Sequence, residues 1–215
     1  MSTIAPLLRA KLPDETQVLE GFRAEAWAVC DRVPDTVAFP ETEEQVASVL
    51  DLCRSQGWTC MPAGKGTWLF GGQPPGRVDV VLALTRMDRV LEYEPGDLTV
   101  TCEAGIGLDL LARQTNPNGQ WLPLDPPGLA RGTLGAMVST ASSGSLQAGF
   151  GTVRDHVLGA TLITSGGTSL HLGGRVVKNV AGFDLLRMAT GSWGTLGMLT
   201  SVTVRLHPRP AVDRA

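Results

Sequence analysis

The apolar residues between positions 42 and 57 recur with the period of a helix. They stand at i, i+3, i+4 and i+7, which is the spacing of one buried helix face, and they are Val46, Val49, Leu50 and Cys53. Thr42 and Gln45 stand three residues apart as in a capping box, and Gly57 tolerates the left-handed conformation that ends many helices. The pattern predicts a helix that begins after Thr42 and ends at Gly57.

Short β-prone runs flank this helix. Residues 36–39 precede it and residues 58–62 follow it, so the three segments predict a small βαβ unit. The same patterning predicts further elements downstream, namely strands at 78–84, 89–93 and 98–102 and a helix at 107–114.

The amino-acid composition changes after residue 119. Residues 125–152 are rich in Gly, Ser, Thr and Ala and carry few charges. Alternation of apolar residues then resumes and predicts a hairpin of two strands at 157–164 and 169–172, joined by a Gly-rich turn. A short helix at 184–189 and a strand at 199–206 complete the pattern.

These elements predict an α+β protein made of two α+β lobes that join near residues 115–125. The first lobe is placed at 36–115 and the second at 116–210. Residues 1–35 are expected to form a peripheral N-terminal segment with a short helix at 14–22, and residues 211–215 a tail.

Composition narrows the class of protein. A chain of 215 residues with 43% hydrophobic and 18% charged residues is globular, and its length suits one domain or two small lobes. The formal net charge of −3 gives no basic field, which argues against a nucleic-acid partner. No apolar run reaches 18 residues and no signal-like segment opens the chain, so we expect no membrane span and a cytoplasmic protein, peripheral to the inner face of a membrane only through a complex.

Metal and nucleophile chemistry find no support in the sequence. The four cysteines form no CxxC pair, and the three histidines lack ligand spacing, so neither a disulfide framework nor a metal site is predicted. No serine stands in a GxSxG motif. The sequence therefore assigns no catalytic residue and no metal ligand.

The glycines carry the most specific signal, since Gly makes up 26 of the 215 residues. The first Gly-rich element directly follows the strand predicted at 58–62 and comprises Pro62, Ala63, Gly64, Lys65, Gly66 and Thr67. Glycines one residue apart let successive amides point the same way and form an anion nest, for which a diphosphate is the natural guest. An ordinary Gly loop is the alternative. The spacing fits neither a P-loop nor a Rossmann fingerprint.

Two later elements are also rich in small residues. The second comprises Gly132, Thr133, Leu134, Gly135, Ser139, Ser142, Ser143 and Gly144. If residues 133–140 form a helix, its first amides offer a second anion-facing edge, and its small side chains would pack against either a buried cofactor or a sheet. The third is the turn Gly191–Gly197, whose glycines at three-residue spacing imply a close backbone approach or a plain helix-to-strand turn.

In this order the motifs resemble the FAD-binding domain of the vanillyl-alcohol oxidase superfamily, the PCMH-type flavoproteins. Within that superfamily, the chain resembles the FAD-binding E subunits of bacterial glycolate oxidases. The stretches that carry the resemblance are 37–46, 62–67, 132–135, 150–159, 174–185 and 191–197, of which 177–184 is specific to those subunits.

The resemblance implies two α+β subdomains, 36–115 and 116–210, with FAD held between them. The loop at 62–67 would hold the pyrophosphate, and residues 132–144 would line the other side of the cofactor. Contacts with the flavin or the adenine would come from Phe150, Gly151, Thr152, Val153, Gly197 and Leu199. Some relatives attach the flavin covalently through a His where Thr67 stands, so we expect non-covalent FAD.

Three departures from the family pattern predict weaker binding. The family usually has Arg, Asn and Tyr at the positions of Ala63, Ala141 and Phe150. Each change removes a polar group, and a hydrogen bond to a charged group contributes about 1.5–3 kcal/mol. The chain also ends at Ala215, before the cap domain that usually covers the flavin, so the cap is expected to be absent.

The expected function is therefore an FAD-binding subunit of a 2-hydroxyacid (glycolate-type) oxidoreductase complex that takes part in flavin-mediated electron transfer. The resemblance implies two partners, a catalytic flavoprotein subunit and an iron–sulfur subunit of a glycolate oxidase-type complex. The alternative is a non-catalytic assembly subunit that keeps the fold and has lost or weakened FAD binding.

Overall fold

The computed structural model describes residues 3–128, 132–174 and 183–210. The helices of this part are α1 (Ile4–Arg9), α2 (Glu43–Gln56), α3 (Leu108–Thr115), α4 (Leu134–Thr140), α5 (Gln147–Phe150), α6 (Val153–His156) and α7 (Leu185–Ala189). Its strands are β1 (Val18–Glu20), β2 (Thr36–Ala38), β3 (Cys60–Ala63), β4 (Val80–Ala83), β5 (Val90–Glu94), β6 (Thr99–Glu103), β7 (Gln120–Trp121), β8 (Val157–Ile163), β9 (Ser169–Gly173), β10 (Met198–Arg205) and β11 (His207–Pro208).

Two stretches singled out in the sequence lie outside the described residues. They are residues 177–182, which make up most of the subunit-specific run, and the tail at 211–215. None of the helices in the described ranges is both long and apolar enough to cross a bilayer.

The first sheet has the strand order β1-β2-β4-β3, in which β2, β4 and β3 are parallel. The predicted helix α2 joins β2 to β3, and its ends match the sequence signals. Thr42 Oγ1 accepts the Gln45 amide at 3.2 Å, and Gly57 takes a φ of 67° after the last turn. The predicted βαβ unit is therefore confirmed, but β4 lies between its two strands because the next segment pairs with both.

The second sheet is antiparallel, with the order β5-β6-β10-β8-β9. The predicted hairpin forms its edge, since β8 pairs with β9 from Gly159–Gly173 to Ile163–Ser169. β5 and β6 join this sheet through β10, which comes a hundred residues later in the chain. The division between the sheets therefore falls between Ala83 and Val90, upstream of the lobe boundary that the sequence placed at 115/116.

The N-terminal segment is not peripheral, contrary to the sequence prediction. Ile4, Leu8 and Leu12 are buried in the main hydrophobic core. The helix predicted at 14–22 is also wrong, because Val18–Glu20 pairs with β2 as strand β1 between two short 3-10 turns. Pairing with a strand distant in sequence outweighs the local preference for a helix here.

The two central strands of the first sheet, β2 and β4, are buried on both faces. Val80 and Leu82 of β4 belong to the main core that continues under the second sheet, whereas Val81 and Ala83 belong to a smaller core with Phe39. Full burial of one Val or Leu side chain contributes about 1.5–3 kcal/mol. This double burial fixes β4 firmly, and β3 pairs with β4, so the loop that leaves the end of β3 starts from a rigid support.

Candidate functional site

A cleft of about 840 Å³ lies between the two sheets. Its walls come from the end of β3 and the following loop at 61–73, from α4, and from the turn at 193–199 that enters β10. This volume includes space that is open to solvent. All three Gly-rich elements of the sequence contribute to these walls.

The loop after β3 presents a row of free amides. Within the described residues, the backbone N–H groups of Gly64 through Trp68 donate no hydrogen bond to the protein, although Gly64, Gly66, Thr67 and Trp68 are partly buried cleft residues. Gly66 has a φ of 76°, which turns the chain as an anion nest requires. Partly buried amides seek acceptors, so this loop is suited to a group with several anionic oxygens.

The turn at 191–197 closes against the same loop. A Cβ atom on Gly194 would overlap the ring of Pro62, so only glycine allows this approach. Gly194 also has a φ of 73° and Gly197 a φ of 152°. The first and third Gly-rich elements therefore meet in the cleft wall.

Helix α4 contributes to the cleft in a different way from the one predicted. Its first amides are already bonded within the protein: Leu134 N–H to the Ile106 carbonyl at 3.0 Å, Gly135 N–H to the Ala104 carbonyl at 2.7 Å, and Ala136 N–H to Thr133 Oγ1 at 3.3 Å. The predicted second anion-facing edge is therefore wrong. The helix packs tightly against the end of β6 and lines the cleft with small side chains.

The predicted site residues divide into two groups. Those that line the cleft are Pro62, Ala63, Gly64, Gly66, Thr67, Thr133, Gly135, Ser139, Gly197 and Leu199. Those outside its lining are Lys65, Gly132, Leu134, Ser142, Ser143, Gly144, Phe150, Gly151, Thr152 and Val153.

Lys65 points away from the nest. Its Nζ lies 3.7 Å from Asp109 Oδ1 at the start of α3, and Asp109 also accepts from Arg113 at 2.5 Å. The Arg113 hydrogen bond is the main cause of the lowered pKa of Asp109, to which the charge of Lys65 adds. An anion nest at this loop would therefore consist of backbone amides, because the nearby Lys65 cation is already paired with Asp109.

Several other members of the second group have local structural roles. Leu134 and Val153 are buried in the main core. Gly144 packs on Asp125, which accepts hydrogen bonds from Ser145 Oγ at 3.0 Å and Leu146 N–H at 3.1 Å. The Gly132 carbonyl accepts the Leu108 amide at 3.3 Å.

Phe150 belongs to an aromatic cluster beside the second sheet. Its ring centroid lies 5.4 Å from that of Trp121 and 5.8 Å from that of His207. Its carbonyl oxygen lies 3.0 Å from His156 Nε2, and burial lowers the pKa of His156. Thr152 caps α6 through a capping box with Asp155, and this bonding lowers the pKa of the Asp155 carboxyl.

Sequence reasoning missed two large side chains in the cleft wall. Trp68 and Trp193 both line it, with ring centroids 6.1 Å apart. Trp193 stands inside the motif 191–197 and Trp68 directly follows the motif 62–67, so attention to the aromatic residues in and beside these motifs would have found them.

The cleft contains no ionisable side chain among the described residues. Its polar side chains are hydroxyls and one amide, from Thr67, Gln73, Thr133, Ser139 and Thr140. Nor does the described part of the chain bring together three or more His, Cys, Asp or Glu side chains in a group that could hold a metal ion. The cleft can bind and orient a ligand but offers no acid or base of its own.

Comparison with known proteins identifies relatives of this chain. A family model for the FAD binding domain matches residues 34–173. The chain is 34% identical over 183 residues to the glycolate oxidase subunit GlcD of Bacillus subtilis, covering 85% of this chain and 39% of that protein. It is 40% identical over 122 residues to the glycolate oxidase subunit GlcE of Escherichia coli, covering 56% of this chain and 35% of that protein.

Solved structures show the same fold. An alkyldihydroxyacetonephosphate synthase superimposes with a TM-score of 0.83 at 24% sequence identity, covering 96% of this chain and 41% of that one. The chain thus spans about two fifths of the length of the proteins that it matches.

Proposed function

The chain belongs to the PCMH-type family of FAD-binding domains and FAD is its cofactor, and from this premise we propose that it is the FAD-binding subunit of a 2-hydroxyacid oxidoreductase complex of the glycolate type. The substrate class, the subunit role and the partners are the proposal.

The free amides of Gly64–Trp68 are the observation that most directly supports FAD binding in this proposal. FAD contains a diphosphate, and successive backbone amides in a partly buried loop bind such a group without needing a basic side chain. The Gly64 and Gly66 backbone would hold its oxygens at the cleft wall. The cleft is also apolar at Met61, Leu69 and Met198, which suits the ring systems of FAD.

FAD supplies the two-electron redox chemistry when it is bound, and the protein positions it. The residues of this chain bind the diphosphate, orient the rings and restrict water along the cleft wall. Because no ionisable side chain lines the described cleft, the group that removes the substrate's hydroxyl proton must come from outside it. We propose that a second polypeptide supplies this group.

Two relatives guide the choice of partners. GlcD and GlcE are both named as subunits of glycolate oxidase. We therefore propose a catalytic flavoprotein subunit and an iron–sulfur subunit as partners, between which this chain would support electron transfer, and a cytoplasmic location for the complex.

The visible spectrum of the purified chain, with and without added FAD, tests the cofactor part. We expect flavin absorption near one FAD per chain, released by denaturation without covalent attachment since Thr67 offers no linkage atom of the histidine type. Riboflavin, which lacks the diphosphate, is the matched control and should bind far more weakly. A protein that stays colourless at saturating FAD would favour the alternative, a non-catalytic assembly subunit that has lost FAD binding.

Activity tests the rest of the proposal. The FAD-loaded chain alone should not be reduced by glycolate or D-lactate, whereas its complex with a catalytic flavoprotein subunit should pass electrons to an artificial acceptor. Rapid reduction of the isolated chain by either acid would contradict the proposed division of labour.

A further inference from the structure

Two indole rings meet at the wall of the FAD cleft. The rings of Trp68 and Trp193 pack edge to face, with centroids 6.1 Å apart and planes at 89°. Phe70 stacks on the outer side of Trp68 at 6.3 Å with planes at 16°. Such an arrangement holds one indole firmly in place while leaving the other with an open face.

The backbone around Trp193 is adapted to hold this ring. Trp193 has a φ of 54°, a left-handed conformation that is a genuine outlier for a bulky residue. Its amide donates to the Ser139 carbonyl at 2.8 Å, which fixes it to the end of α4. Gly71 leaves room for the indole, because a Cβ there would lie 2.9 Å from Trp193 Cζ3. Outliers that the surroundings enforce cluster at ligand sites.

The Trp193 side chain remains accessible in spite of this support. The residue is 46% exposed and lines the cleft together with Trp68. Exposure of a large apolar ring that the backbone is strained to present indicates a surface meant for another apolar or aromatic group.

We propose that Trp68 and Trp193 form an aromatic clamp, in which the exposed ring of Trp193 stacks on one of the two heteroaromatic rings of bound FAD and the perpendicular ring of Trp68 supports it. Trp68 follows directly on the free amides that suit the diphosphate, and each ring system of FAD lies a short linker away from that diphosphate. The clamp would compensate for the affinity that is lost because Ala63 has no guanidinium group to bind the diphosphate. The inference rests on the FAD-binding part of the proposed function and is independent of the substrate and partners.

The test compares Trp193→Gly with Trp193→Phe. Glycine suits the left-handed backbone, so the first variant removes the ring without adding strain. We expect Trp193→Gly to bind FAD about tenfold more weakly by calorimetry, as for loss of one stacked ring, and Trp193→Phe to recover most of that affinity. Phe22→Ala removes an exposed aromatic ring that does not line the cleft and should leave FAD binding unchanged.

Competition with FMN and with ADP identifies the stacked ring. If the isoalloxazine is clamped, Trp193→Gly weakens the binding of FMN but not that of ADP. It also raises the fluorescence of bound flavin, because a neighbouring indole quenches that fluorescence. If the adenine is clamped, Trp193→Gly weakens the binding of ADP but not that of FMN, and flavin fluorescence does not change. Either result supports the clamp.

Three results would overturn the clamp. The first is an unchanged FAD affinity in Trp193→Gly. The second is an equal loss of affinity for FMN and for ADP, as expected if the substitution distorts the loop. The third is a Trp193→Phe variant that binds FAD as weakly as Trp193→Gly. Failure of the unaltered protein to bind FAD would instead remove the cofactor assignment, and the clamp with it.

Discussion

Gly64 lies so close to the side chain of Thr133 that a Cβ atom on Gly64 would overlap the Thr133 hydroxyl. Thr133 is the N-cap of α4, where its Oγ1 accepts the Ala136 amide. Two Gly-rich elements nearly seventy residues apart are therefore in direct contact. The N-cap of α4, a helix that also lines the cleft, therefore holds the loop with the free amides in place.

Replacing Gly64 with alanine should separate this loop from α4. The added methyl group must push Thr133 aside, which disturbs the cap and lowers the free energy of unfolding by about 1 kcal/mol. It also moves the amides that hold the diphosphate, so FAD should bind at least about tenfold more weakly, as for loss of one hydrogen bond to a charged group. Thermal unfolding and FAD titration measure the two effects.

Gly76→Ala is the matched control for that variant. Gly76 lies later in the same loop and a Cβ there would meet nothing within 4 Å. Equal loss of FAD affinity in both variants would show that the Gly64–Thr133 contact does not position the nest.

Negative charge in the nest should weaken FAD binding. Gly66→Asp adds a carboxylate beside the expected diphosphate, whereas Gly66→Asn adds a side chain of the same shape without charge and tolerates the φ of 76° equally well. We expect the Asp variant to bind FAD about tenfold or more weakly than the Asn variant because of like-charge repulsion, with similar melting temperatures. Stoichiometric flavin in purified Gly66→Asp protein would refute the assignment of this loop.

A guanidinium at position 63 should strengthen the site. Ala63 lines the cleft at the end of β3, next to the free amides, and the nearby Lys65 is paired with Asp109. Ala63→Arg would add a charge-assisted hydrogen bond to the diphosphate, so we expect FAD to bind about tenfold more tightly. Ala63→Met, similar in length and uncharged, is the control; an equal gain in both variants would assign the effect to packing.

Protein stability should depend on pH through His156. Burial lowers the pKa of His156 below its ordinary value of 6.5, and the charge of the neighbouring His207 adds to the effect. The unfolded chain therefore takes up a proton at a higher pH than the folded one. The free energy of unfolding is highest above pH 6.5 and decreases as the pH falls from 6.5 to the lower pKa of the folded state.

His156→Gln should flatten this dependence. Glutamine can still donate to the Phe150 carbonyl, which His156 Nε2 contacts at 3.0 Å, but it does not titrate. Urea unfolding between pH 7.5 and 5 measures the slope. The Asp155 carboxyl, whose pKa lies below 3.8, does not interfere in this range. An unchanged slope in the variant would assign the dependence to another group.

Much of the secondary structure followed from short-range signals. The capping pattern and the apolar stripe placed α2 to within a residue of its observed ends, and alternation placed β8, β9 and β10. The Gly64–Gly66 spacing singled out the anion nest for the same reason: positive φ and the absence of a side chain are properties of single residues. Signals of this kind reach across a few residues, so they can be read without knowing the fold.

Contacts between distant segments could not be predicted in this way. β1 was mistaken for a helix because its identity comes from pairing with β2, and β5 and β6 joined the second sheet because β10 offers them hydrogen-bond partners. The amides of α4 were expected to face a ligand, but the carbonyls of Ala104 and Ile106 accept them.

The amino-acid sequence alone was sufficient to identify the family and the cofactor class, and it singled out the loop that we propose as the nest. Folding in three dimensions settled which amides stay free and which side chains reach the cleft, including the indoles of Trp68 and Trp193. The physical reason is that a free amide is defined by every acceptor that surrounds it. Those acceptors arrive from strands and helices far along the chain, and local patterns do not encode their positions.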